Sequence, residues 1–268
     1  MISNRYIDWK AFTPSYVESE MPKLIAEASE ALEKIENGEI STYEDLVYAL
    51  NDATFKLWRM WGALSHLLSV MNSKEWREIQ EKFQGEIVAF SLRVGQSQKL
   101  YLCAKKLLES NAVDDPVRRR ILEKMVQSAE LSGVALEGEK KERFNYIAAR
   151  LAQLGSDFRN AVIDSTPAEI SDAVFPEVMK NEPDRGKREK LYRMRSTRAP
   201  SNEGRIAEML KLRDEEAKLL GFADYAEKSL ATKSAAVPSA AFAMIDKLDE
   251  ATVKGPKPKK RNLRILRS

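Results

Sequence analysis

Between Leu46 and Leu68 the apolar residues return every three or four positions: Leu46, Leu50, Ala53, Leu57, Trp61, Leu64 and Leu68. That spacing places them on one stripe of an α-helix, and the stripe is stable only when another surface covers it. Ser41, with Glu44 three residues on, reads as the capping box that starts the helix. Three more stripes have the same period: Ile25, Ala28, Leu32 and Ile35; Phe83, Ile87, Phe90 and Val94; and Phe144, Ile147, Leu151, Leu154, Phe158 and Val162. Pro14 after Thr13 is a first-turn proline behind its cap. Asp115-Pro116 opens a further helix, with Val117, Ile121 and Met125 expected as its buried row. No strand-period segment of useful length competes with these patterns, so the fold class expected is all-α, an array of long antiparallel helices.

After Thr166 the pattern loosens, because Pro167, Pro176, Pro183 and Gly186 interrupt any long helix. Helix resumes near Lys187, and again from about Asn202 to Leu220. Gly221 stands where a left-handed C-cap belongs, with Phe222 behind it to pack on the last turn. A last helix runs from near Pro238 to Thr252. Gly255-Pro256-Lys257-Pro258 cannot continue it, so the end of the chain is expected to be a disordered tail. The organisation expected is a helical domain over 7–166, a short irregular connection over 167–186, a second helical region over 187–252 and a basic tail over 253–268.

Charge sharpens that division. The net charge is +3, but Val253 to Ser268 holds seven basic residues and no acid. Without them 37 basic residues face 41 acidic ones, so the body is acidic and implies no nucleic-acid partner. Lys257 to Arg261 reads K-P-K-K-R, similar to a short basic import signal. With 43% hydrophobic residues a sizeable core is affordable. No apolar run reaches the ~18 residues of a membrane span, and Met1 to Lys10, with Asp8, lacks a secretory core. A single cysteine, Cys103, allows no internal disulfide and suits a reducing compartment.

The chemistry available is narrow. His66 is the one histidine, so H-E-x-x-H, which needs two, is absent, and Cys103 alone makes no cysteine-rich zinc site. His66 lies just off its helix's stripe and reads as a partly buried structural residue. A nucleophile would need His66 as base, yet Ser65 is its immediate neighbour, and adjacent helical residues do not face each other. Cys103, on a helix, reads as an inert small hydrophobe. No phosphate loop or dinucleotide fingerprint occurs. Trp58 and Trp61 read as core or groove residues. No catalytic, cofactor-binding or metal residue is assigned.

Four stretches carry more than spacing: His66 to Glu78 (H-L-L-S-V-M-N-S-K-E-W-R-E), Val94 to Tyr101 (V-G-Q-S-Q-K-L-Y), Leu131 to Thr166 and Leu220 to Lys233. With S-T-R-A at Ser196 to Ala199, they resemble, in order, the oligopeptidase A branch of the thimet oligopeptidase family of zinc metallopeptidases. The likeness covers nearly everything from Ile7 to Ala251. It implies two helical lobes walling a channel for short peptides, with zinc held in a C-terminal part that this chain does not match. The metal there polarises the scissile carbonyl and activates water. Compared with the family pattern, the chain is shorter between Thr166 and Phe175 by several tens of residues, and the basic tail replaces the pattern after Ala251. The resemblance therefore implies a truncated member without the zinc motif and inactive alone, with no cofactor of its own. Short peptides and the missing catalytic lobe are its expected partners, without nucleic acid or membrane. Its place is cytoplasmic, or an organelle if a transit peptide precedes it. The alternative reading is a helical peptide- or protein-binding module without catalysis.

Overall fold

A computed structural model describes residues 6–110 and 113–253. Among these residues there are eleven α-helices, one π-turn, one 3-10 turn and no β-strand. The chain divides into two compact units, Met1–Leu212 and Arg213–Ser268. The tail from Lys254 onward, with its import-like K-P-K-K-R, lies outside the described residues.

In the first unit, α1 (Pro14–Asn37), α2 (Ala49–Val70) and α3 (Lys74–Gly95) pack on one another, α4 (Gln98–Glu109) packs on α5 (Pro116–Leu131), and α6 (Gly138–Asp164) lies on α3. α1 begins where the sequence places it: Thr13 Oγ1 accepts the Tyr16 amide at 3.2 Å, and Pro14 has no amide to satisfy. Val17, Met21, Ala28 and Leu32 then turn inward. They meet Leu57, Met60, Leu64 and Leu68 of α2 and Phe83, Ile87 and Phe90 of α3 in one cluster. Each large side chain fully buried there stabilises the fold by about 1.5–3 kcal/mol.

Three expectations need correction. The helix holding the Leu46–Leu68 stripe opens with a π-turn, Glu44–Tyr48, and its capping box is Thr42 with Asp45, one residue later than Ser41 with Glu44. The Thr42 amide donates to Asp45 Oδ2 at 2.9 Å, and the Asp45 amide donates to Thr42 Oγ1 at 3.1 Å. The Ser41 amide and hydroxyl also converge on Asp45 Oδ2, while Glu44 is drawn away to Arg118 at 2.6 Å. Second, α5 does start at Asp115-Pro116, with Asp115 accepting the amides of Val117 and Arg118. Its most buried residues, however, are Leu122 and Ala129; Met125 packs half-buried against the core as expected, but Val117 is 66% exposed and Ile121 38%. The inner side of the first turn is taken by arginines, since Arg118 lies 4.8 Å over the Tyr43 ring and Arg119 donates to the Leu108 carbonyl. Third, His66 is exposed rather than partly buried, its ring 5.7 Å from that of Trp9.

Past α6, a 3-10 turn (Ala168–Ile170), α7 (Phe175–Asn181) and α8 (Arg185–Ser196) follow, then α9 (Asn202–Leu219). Arg195 ties this region together: it donates to the Ile170 carbonyl, pairs with Asp172 and lies 4.7 Å over the Phe175 ring.

The second unit takes in the end of α9, α10 (Tyr225–Leu230) and α11 (Pro238–Val253). Gly221, at φ +86°, ends α9 as its position predicts: the Phe222 amide reaches the Ala217 carbonyl and the Gly221 amide that of Lys218. Glu216 and Lys228, both largely buried, pair at 2.6 Å, and Arg213 lies 5.1 Å over Tyr225.

Candidate functional site

The stretches singled out in the sequence lie far apart along the chain, and in the first unit side chains join three of them. Gln96 follows the last residue of α3, where its amide donates to the Leu92 carbonyl and the Ser97 amide to that of Val94. Its Nε2 donates to the Ser132 carbonyl at 2.9 Å and to Asn145 Oδ1 at 2.7 Å. Gln98 Nε2 donates to the Val134 carbonyl at 2.6 Å, and the Ser97 hydroxyl donates to Glu36 Oε1 at 2.5 Å. Val94–Tyr101 is thereby knotted to Leu131–Thr166. The approach is close: a Cβ at Gly95 would stand 2.6 Å from Ser132 Oγ and 2.7 Å from its Cβ, and Gly133 turns at φ +78°. Gln96 and Ser97 are both buried and both donate side-chain hydrogen bonds, so the knot rigidifies the junction.

The other end of α6 is held to the His66–Glu78 stretch. Arg77 donates to Asp164 through both terminal nitrogens, at 2.8 and 2.7 Å, and through Nε to Asn72 Oδ1 at 2.6 Å. The guanidinium hydrogen bonds hold the Asp164 carboxyl below the usual carboxylate range. Midway, Ser156 Oγ donates to Gln84 Oε1 at 3.0 Å, both side chains buried. From the middle of α6, Arg150 grips Glu208 of α9 through two hydrogen bonds, at 2.6 and 2.8 Å, which lower the Glu208 pKa. Asn202 Nδ2 donates to the Phe158 carbonyl just after the S-T-R-A turn, where Ala199 sits at φ +52°.

Between α3 and α6 runs an open groove of about 280 Å³, floored by the small residues Gly85, Ala89 and Ala149, with Gln96 and Asn145 at one end. Small residues and paired amides can accommodate and hydrogen-bond an extended chain. They supply neither a nucleophile nor a base. Of the residues weighed as chemistry, Ser65 and His66 lie side by side on α2, and Cys103 is half-buried on α4. No contact joins any of them into a catalytic pair. Among the described residues no three His, Cys, Asp or Glu side chains stand close enough to hold a metal ion. Nor is any described helix long and apolar enough to cross a membrane. Sequence periodicity missed Gln84, Gln96, Asn145 and Ser156, because buried polar pairs leave no mark on an apolar pattern.

The comparisons follow the same architecture. The family model for the neurolysin/thimet oligopeptidase N-terminal domain matches residues 21–141, and that for peptidase family M3 matches residues 178–263. The chain is 33% identical to probable cytosolic oligopeptidase A of Arabidopsis thaliana over 267 positions, covering 81% of this chain and 38% of that protein. The chain belongs to the thimet oligopeptidase and oligopeptidase A family. Oligopeptidase A of Haemophilus influenzae is 31% identical over 284 positions, covering 88% of this chain and 42% of its own length. Organellar oligopeptidase A of A. thaliana, described as chloroplastic/mitochondrial, is 32% identical over 288, covering 89% and 36%. This oligopeptidase-family chain thus spans about two fifths of the length of the curated relatives it matches. The peptidase match also runs on to residue 263, beyond the Ala251 at which the likeness was expected to stop. In the first of these alignments, 81% of 268 residues is about 217, so about 50 of the 267 positions have no residue here.

Proposed function

We propose that this chain supplies the N-terminal helical scaffold of a zinc-dependent oligopeptidase that hydrolyses short peptides, and that it does not cleave them by itself. One observation carries the second half: a family member whose 268 residues include a single histidine cannot assemble H-E-x-x-H. Family membership supports the first half, with the α3–α6 groove offered as a wall along which a peptide can lie. The positions without counterpart are assigned to the turn between Thr166 and Phe175. Its partners in this reading are short peptides and a polypeptide carrying the catalytic lobe, with neither nucleic acid nor membrane involved. Its place is the cytoplasm or an organelle, as the names of its cytosolic and organellar relatives suggest. The decisive assay uses the purified chain with a quenched fluorescent peptide, with and without a chelator. No cleavage is expected in either arm; turnover abolished by the chelator overturns the proposal.

A second reading, a binding module without catalysis, is favoured by α11. Phe242, Met244, Ile245 and Leu248 are each between 56 and 65% exposed on this one helix. Such a concentration of uncovered apolar surface marks an interface more often than a free surface. Light scattering separates the outcomes: association with itself or an added peptide supports this reading, and a monomer without peptide affinity removes it.

A further inference from the structure

On α11 every side chain from Phe242 to Thr252 is exposed, yet the helix is amphipathic. At 100° per residue, Met244, Leu248, Ile245 and Phe242 share one side. Asp246, Asp249 and Glu250 run along the edge next to Phe242, and Lys247 is the helix's one cation. The four apolar side chains are 56–65% exposed, and none exceeds the ~250 Å² of a large aromatic, so together they leave roughly 600 Å² open at most. A second copy of the chain fits this patch poorly. A stable dimer covers about 800 Å² on each partner. Antiparallel pairing of two α11 helices would also set acidic edge against acidic edge, and parallel pairing would meet three acids with Lys247 alone.

The chain itself carries a better match. Residues 254–268, outside the described residues, hold seven basic side chains and no acid, and near their end Leu263, Ile265 and Leu266 alternate with Arg264 and Arg267. Gly255 and Pro256 favour a turn directly after α11. Leu263 is ten residues past Val253, a reach of about 33 Å, whereas Phe242 lies only about 17 Å back along the helix. The match to peptidase family M3 also runs through α11 and on to residue 263. We propose that the segment from Leu263 to Arg267 folds back along α11, with Leu263, Ile265 and Leu266 on the side of Phe242, Ile245 and Leu248, and Arg264 and Arg267 beside Asp246 and Asp249. Apolar contact supplies the attraction, and the opposite charges select this segment over a second α11. Three side chains hold a helix side loosely, so a dye still competes for it. The assignment does not depend on the proposed peptidase function.

The experiment measures ANS fluorescence and sedimentation of the intact chain, of a chain ending at Val253, and of the full-length triple variant Leu263→Asp, Ile265→Asp and Leu266→Asp, with circular dichroism to show that each is folded. ANS binding should rise at least about twofold in both altered chains, and a synthetic peptide of residues 254–268 should reverse the rise in the shortened one. Arg264→Glu with Arg267→Glu should give a smaller rise, and high salt should weaken the peptide's effect. The triple variant decides the matter if the shortened chain does not fold. Unchanged ANS binding in a folded triple variant, or a shortened chain that the peptide leaves unaltered, overturns the proposal. So does an intact chain that sediments as a dimer and is split by Ile245→Glu, which would give this side of α11 to a second copy.

Discussion

At the scale of single residues, the start of α2 separates two neighbouring hydroxyls with different work. Thr42 both accepts the Asp45 amide and offers its own amide to that carboxylate, whereas the Ser41 side chain makes only a 3.3 Å contact to the same oxygen. Thr42→Ala should therefore cost about 0.5–2 kcal/mol and Ser41→Ala clearly less, read from urea midpoints. Equal effects would favour the cap that spacing alone suggests. α5 offers a parallel contrast. Leu122 is fully buried and Val117 two-thirds exposed. Leu122→Ala is expected to lose about 2–5 kcal/mol and Val117→Ala to stay within about 0.5 kcal/mol. The sequence made Thr13-Pro14, Asp115-Pro116 and Gly221 legible because caps are local chemistry, written in adjacent residues. It misplaced the start of the α5 row, Val117 and Ile121, because these residues have a valid helical period with Met125, which does pack on the core. What turns the row is Arg118 settling on Tyr43, a partner 75 positions earlier in the sequence, which no local pattern contains.

At the scale of elements, α6 is fastened at intervals by groups that apolar periodicity does not see: Asn145 to Gln96, Ser156 to Gln84, Asp164 to Arg77 and Arg150 to Glu208. That α6 exists was readable from Phe144, Ile147 and Leu154; what it packs on was not, since these partners lie tens of residues away. The Arg77–Asp164 pair is bidentate, but the carboxylate is 58% exposed. A double-mutant cycle with Arg77→Met and Asp164→Asn should thus return a coupling below about 1 kcal/mol, shrinking in high salt. The same pairs set a pH dependence. Hydrogen bonds from Arg77, Arg150 and Arg195 lower the carboxyl pKa of Asp164, Glu208 and Asp172, and those from Thr42 and Ser41 lower that of Asp45. Groups depressed in the folded state stabilise it fully above their ordinary values, near pH 4, and lose that contribution as pH falls through their lowered ones. Tm should hold level between pH 7 and about 5 and decline below about 4; a Tm unchanged at pH 3 would contradict these assignments.

For the whole molecule, family membership was readable from stretches that follow one another in the family's order. The exposed side of α11 was not, because an amphipathic helix looks the same in sequence whether or not anything covers it. Ile245→Glu with Leu248→Glu should reduce binding of an apolar dye such as ANS without shifting the unfolding midpoint beyond about 0.5 kcal/mol, since neither side chain is buried. A large loss of stability would mean that this side of α11 is packed after all. The contact between Gly95 and Ser132 has a consequence for descent. A methyl at 95 would collide with both side-chain atoms at 132, and Ser132 Cβ has no rotamer by which to retreat. A larger residue at 95 therefore requires either a smaller one at 132 or a displacement of the turn after α5, so the pair couples the spacing of α3 and that turn to the size of two side chains.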